Sequence, residues 1–179
     1  MFQSFFEKNI LSVIFVIFAK KISIMIQRIQ SVFLFLAVVF AGLLFVLPIA
    51  SFDYGNDLMT LTIMGVENQH DAVYFSNVYT LPLLVITILM IVIPLFTIFK
   101  FKNRNLQLKL SSLTVFLNAI FCGLVFLYYA ANVQKTIASE TVVYLFGAYV
   151  PLINMVLAVL AMRWIKKDIE LIKSVDRLR

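Results

Sequence analysis

The sequence predicts an all-α membrane protein: an antiparallel bundle of four transmembrane helices with a small outer loop able to form a β-hairpin. Three observations carry that prediction. Of 179 residues, 63% are apolar and only 13% charged, against roughly 45–50% and about 25% in soluble domains. The mean hydropathy is +1.01. The apolar residues gather in four runs, each near the roughly 20 helical residues that about 30 Å of hydrocarbon requires. Charges lie between the runs and are sorted by sign. A soluble enzyme, a disordered chain and a disulfide-rich module are thereby excluded.

Residues 1–24 stand apart. Ile10 to Ala19 is apolar but too short to span, and Lys20 and Lys21 follow it with no A-x-A cleavage pattern. The segment either lies in the membrane interface or precedes a true start at Met25. We favour Met25, because Met25-Ile26-Gln27-Arg28 opens a clean basic flank before an apolar run.

The four-helix domain then occupies 25–179. Its spans fall at about 31–50, 80–99, 113–131 and 141–165. None shows the strict alternation of a membrane β-barrel strand. Pro48 and Pro82 sit near helix ends, where proline is tolerated. Pro94 and Pro151 are interior and are expected to kink their helices. The outer loop, 51–79, contains Asp57 to Met64, β-branched and partly alternating, with Ser51 to Tyr54 before Gly55 as a pairing partner. The tail, 166–179, places Ile165, Ile169, Ile172, Val175 and Leu178 on one helical stripe, and an amphipathic cytoplasmic helix follows from that spacing.

Fourteen of the 15 basic residues lie before span one, between spans two and three, or after span four, while Lys135 is alone on the other side with five acids. The positive-inside rule puts both termini in the cytoplasm. Trp164 suits an interfacial anchor at the inner end, and Tyr79, Tyr128 and Tyr129 suit one at the outer end. The +6 net charge is thus a topology signal, and a nucleic-acid partner is not expected. Arg28, Lys166, Lys167, Lys173, Arg177 and Arg179 are candidates for contact with lipid headgroups or a partner.

No catalytic set is readable. One His, His70, and one Cys, Cys122, lie too far apart for a Cys–His pair. No metal or cofactor motif occurs, and the acids Asp53, Asp57, Glu67 and Asp71 lack the spacing of a calcium loop. The centres of the spans hold no charge, which argues against ion-coupled transport by this chain alone. Asn118 and Asn154 are the polar exceptions; they either fix helix register by hydrogen bonding or line a path, with Pro94 and Pro151 as possible hinges. Ala37 with Ala41, and Ala119 with Gly123, allow close helix approach within the bundle or to a partner.

The opening Met25-Ile-Gln-Arg28-Ile-Gln-Ser31-Val-Phe-Leu-Phe-Leu-Ala37 and the tail residues Ile165-Lys166-Lys167-Asp168 and Ser174-Val-Asp176-Arg177-Leu-Arg179 resemble the four-span proteins of Bacteroidetes known as the domain-of-unknown-function 4293 family. The resemblance covers Met25 to Arg179. It implies an inner-membrane location in a Gram-negative cell and supplies no activity. The expected function is therefore a non-enzymatic interaction or scaffold subunit of an envelope complex, partnered by the lipid bilayer and by another membrane protein or a second copy of the chain. The alternative is a small transporter or channel subunit with a path near Asn118 and Asn154.

Overall fold

The computed structural model describes residues 29–54, 57–68, 77–101, 103–137 and 141–176. The segment 1–24, and with it Arg28, His70, Asp71, Arg177 and Arg179, lies outside the described residues. Helix α1 covers Ile29–Leu43. It stops short of Ala50, the end of the expected first span. Leu44, Phe45 and Val46 donate their N–H groups three residues back, and Pro48 then removes the donor a further turn would need.

The chain next builds strands β1 (Ala50–Tyr54), β2 (Asp57–Leu61) and β3 (Val66–Asn68). The expected hairpin is present, with Phe52 opposite Met59 in antiparallel register. The alternation Ala50, Phe52, Met59 and Leu61 is buried, so one sheet face rests on the end of the bundle. Thr62 and Gly65 close the turn into β3 with paired hydrogen bonds through the Thr62 hydroxyl.

Helix α2 spans Asn77–Phe99 and α3 spans Arg104–Gly123. The Asn103 side chain caps α3 by accepting from the Leu106 N–H at 3.1 Å. A π-helical turn, Leu124–Tyr129, leads into α4 (Ala130–Ile137). Strand β4, Val142–Tyr144, follows and completes a four-stranded sheet in the order β3-β2-β1-β4. The expected fourth span therefore begins as a strand. Its β-branched pair Val142 and Val143 joins β1, where Ala50 faces Tyr144. Helix α5, Phe146–Asp176, is the longest at 31 residues, and Pro151 falls only in its second turn. The helix continues unbroken into the expected tail.

Three helical stretches are long and apolar enough to cross a membrane: Val78–Phe99, Arg104–Thr136 and Phe146–Ser174. Helix α3 packs against both α2 and α5. Each helix buries one narrow stripe: Gln30, Leu34, Ala37, Ala41 and Leu44 at the first; Thr80, Leu83, Thr87, Met90, Pro94 and Thr97 on α2. Steps alternate between three and four residues, the spacing of left-handed helix packing. Outside the stripes the surface is apolar, with Leu127 80% and Phe116 61% exposed.

At the sheet end, Gly147 donates its N–H to the Pro48 carbonyl at 3.1 Å, and Leu145 donates to the Ile49 carbonyl at 2.9 Å. A Cβ on Gly147 would stand 2.5 Å from the Pro48 oxygen. Only glycine permits that approach, which fastens the start of α5 to the end of the first apolar run.

Candidate functional site

The stripe that α3 turns inward is unlike the others. Arg104, Gln107, Ser111, Thr114 and Asn118 recur at steps of three and four, while Leu113 and Phe116 point outward. Over these four turns the buried stripe of α3 is polar, while its exposed side mixes Asn105, Lys109 and Ser112 with Leu113 and Phe116. The stripe becomes apolar beyond Asn118, at Phe121 and Val125.

Helix α5 supplies the opposing face. Arg104 Nη1 lies 2.7 Å from Asp168 Oδ2 and also donates to the Asp168 carbonyl at 3.2 Å. Asp168 is 4% exposed by side chain, so the guanidinium supplies what water would otherwise give the carboxylate. The pair joins the start of α3 to the far part of α5, so these helices run antiparallel. Fourteen positions along each helix from that pair stand Asn118 and Asn154. They therefore share one level of the bundle, about 21 Å from the ion pair at 1.5 Å per residue. By the same count Ser111 and Thr114 stand level with the small residues Ala161 and Ala158.

Several polar groups of the stripe are satisfied. Gln107 Nε2 donates to the Thr97 carbonyl at 3.0 Å and so caps the end of α2. The Thr114 hydroxyl donates to the Leu110 carbonyl at 3.0 Å, and Asn118 Nδ2 donates to the Thr114 carbonyl at 2.8 Å. Among the described residues, however, Gln30 Oε1, Gln107 Oε1, Ser111 Oγ, Asn118 Oδ1 and Asn154 Oδ1 are buried with no hydrogen-bond partner. Each such group costs about 1–3 kcal/mol.

The structure thus brings Asn118 and Asn154 to one level, with Pro151 one turn from Asn154 and Pro94 buried in the α2 stripe. Lys166 and Lys167 are exposed on α5, and Lys167 Nζ lies 5.3 Å from the Trp164 ring centroid. Lys173 lines an open groove of about 490 Å³ with Asn103, Arg104, Asn105, Ile169 and Ile172. Gln30, Gln107, Ser111, Thr114 and the Arg104–Asp168 pair escaped the sequence reading. The three-and-four recurrence of polar residues from Arg104 to Asn118 was the signal for most of them.

At the sheet end, Tyr79, Tyr128 and Tyr129 form a ring cluster with centroids 5.0–6.3 Å apart. The Tyr129 hydroxyl donates to the Tyr79 carbonyl at 2.8 Å. Asp53 accepts from the Thr141 hydroxyl, linking β1 to the residue before β4. Among the described residues, no three His, Cys, Asp or Glu side chains converge as metal ligands would.

An apolar exterior, three helices of spanning length and a polar seam inside define a mostly helical protein built to suit a membrane. The family can be stated more closely: residues 26–178 match the domain of unknown function DUF4293, and the chain belongs to that family. No curated protein and no solved structure matches it.

Proposed function

We propose that the protein is a multi-pass inner-membrane protein, with both termini in the cytoplasm, serving as a non-enzymatic interaction subunit of an envelope complex. Three helices of spanning length, Val78–Phe99, Arg104–Thr136 and Phe146–Ser174, support the reading; in it the shorter apolar helix α1 would lead into a fourth crossing and complete an up-down-up-down order. The observation that carries the interaction role is the reach of α5. Its 31 residues extend about 46 Å, some 16 Å beyond a hydrocarbon core of about 30 Å. The overhang exposes Leu171 and Ile172 beside the groove that Lys173 lines, giving a partner both apolar and basic contacts.

Outward on α3, Ala119 is exposed and a Cβ on Gly123 would meet nothing within 4 Å. That pair is open to a neighbouring helix, whereas Ala37 and Ala41 are spent inside the bundle. A photo-crosslinking side chain at Ile172 in native membranes is expected to give discrete protein adducts that the substitutions Leu171→Gln and Lys173→Gln abolish. Lipid adducts alone would remove the interaction role. A cysteine at Asn105 is expected to be labelled only from the cytoplasm, and one at Asn68 only from outside.

The buried oxygens at Asn118 and Asn154 favour a second reading, a small transporter or channel subunit whose path passes them. Reconstituted flux that survives Asn118→Leu with Asn154→Leu would sink that path.

A further inference from the structure

The groove at the basic end lies between the start of α3 and the overhang of α5. Arg104 lines it from one helix and Lys173 from the other, beside Asn103, Asn105, Ile169 and Ile172, and no acid is among its lining residues. Arg104 is held to Asp168 through Nη1, so its other guanidinium nitrogens keep donors to spare. Lys173 makes no ion pair or hydrogen bond among the described residues. The Asn103 side chain has spent its oxygen on the Leu106 N–H and offers its two N–H donors.

The groove is thus rich in donors and positive charge and poor in acceptors. An anion with several oxygens fits it. A guanidinium fork and an ammonium on facing walls match a phosphate, which accepts from both at once. Asp168 does not cancel this attraction, because its carboxylate is 4% exposed and paired with Arg104. Glu170, exposed on the same overhang, does not line the groove.

The depth of the groove selects among carriers of phosphate. Counted from Phe146 at about 1.5 Å per residue, a hydrocarbon core of about 30 Å ends near Ile165, and Ile169 falls about 6 Å beyond it, in the headgroup layer. Trp164 marks the same boundary, with Lys167 Nζ 5.3 Å from its ring centroid. Lys173 stands one turn past Ile169, and its flexible stem can return the ammonium to that layer. Ile169 and Ile172 give the groove an apolar wall, of no use to a hydrated inorganic ion and suited to the glycerol region of a lipid.

We propose that the groove is a binding site for an anionic phospholipid whose phosphate sits between Arg104 and Lys173. Lys166 and Lys167 are exposed on α5 but do not line the groove; they belong to the general attraction of a basic surface for anionic lipid. The proposal rests on the membrane placement above. It is indifferent to which side the groove faces and to whether a protein partner docks on Leu171.

The test is a lipid titration of the purified full chain in a nonionic detergent, read by native mass spectrometry as the fraction of chains that retain one lipid. Phosphatidylglycerol should be retained at least about tenfold more tightly than phosphatidylcholine, whose own ammonium offsets its phosphate. Lys173→Gln should remove most of that preference and Lys173→Arg should keep it. Lys166→Gln, an equal loss of charge outside the groove, should leave it within about twofold. Equal retention of the two lipids would overturn the site. So would a loss at Lys166→Gln matching that at Lys173→Gln, which marks a diffuse charge effect. Inorganic phosphate that displaces phosphatidylglycerol at comparable concentration would overturn the lipid as occupant, because its glycerol and acyl chains would then contribute nothing. Arg104 is left intact in every variant, since Asp168 depends on it. The labelling of Asn105→Cys and Asn68→Cys reads the membrane placement separately, so loss of the lipid preference with that labelling intact overturns the site alone.

Discussion

The two ends of this bundle use the same helix geometry to enclose opposite chemistries. At the sheet end, Ala41, Leu44, Leu83, Phe121, Val125 and Ala148 form one apolar cluster with Ile49, Phe52, Met59 and Leu61 beneath the sheet. At the basic end, the same stripes carry Gln30, Thr97, Gln107, Ser111, Thr114 and Asp168. The three-and-four spacing sets how helices meet, and the residues at those positions decide what the meeting encloses. In lipid, an apolar interior gains nothing over the solvent outside, so packing and hydrogen bonding drive assembly and a polar interior is admissible. Its cost falls only on groups left without partners.

That contrast can be broken or sharpened by substitution, read as unfolding free energy in detergent. The largest effect is expected at the sheet end: Phe121→Ala leaves a void in the apolar cluster and should cost about 3–5 kcal/mol. A loss below about 1 kcal/mol would mean that end is as loosely filled as the other. Next comes Arg104→Ala, which strands the Asp168 carboxylate and should cost about 3 kcal/mol. The double variant Arg104→Met with Asp168→Leu should recover most of that loss, because the penalty lies in the unpaired charge.

Gly147→Ala should cost about 2 kcal/mol by driving a methyl into the Pro48 carbonyl. A neutral result there would show the junction yields. Tyr129→Phe deletes the hydroxyl that donates to Tyr79 and should cost about 1 kcal/mol. The smallest change is expected at Ser111→Ala, under about 1 kcal/mol, since no protein group depends on that oxygen. A loss there as large as at Phe121 would erase the distinction between the two ends.

Much of the helical framework was legible because hydropathy over twenty residues dominates any local signal. The hairpin was legible from β-branched alternation ahead of Gly65. Strand β4 was not, because Val142 and Val143 abut an apolar run and read as its beginning. Only the distant partners Phe52 and Ser51 make them a strand. The end of α1 shows the opposite case, where a single local residue, Pro48, outweighs the hydropathy around it. Asn118 and Asn154 were conspicuous in their apolar runs, but their common level depends on the register that Arg104 and Asp168 set. The polar stripe of α3 went unread because a search for uncharged spans begins at Leu113, after most of the stripe has passed.

The strand order of the cap also has a consequence for how the protein is made. Strands β1, β2 and β3 leave the ribosome in succession, whereas β4 follows only after α2, α3 and α4 have been synthesised. Until then the free side of β1, from Ala50 to Phe52, is an open template for any extended chain. Such distant pairing forms late, because the intervening loop must close before any contact rewards it. The pairing of β1 with β4 therefore completes only after α2, α3 and α4 have been made and the chain has returned to the sheet end. A chain that stalls before β4 keeps the backbone groups on that side of β1 unpaired, so the last strand made is the one that closes the cap.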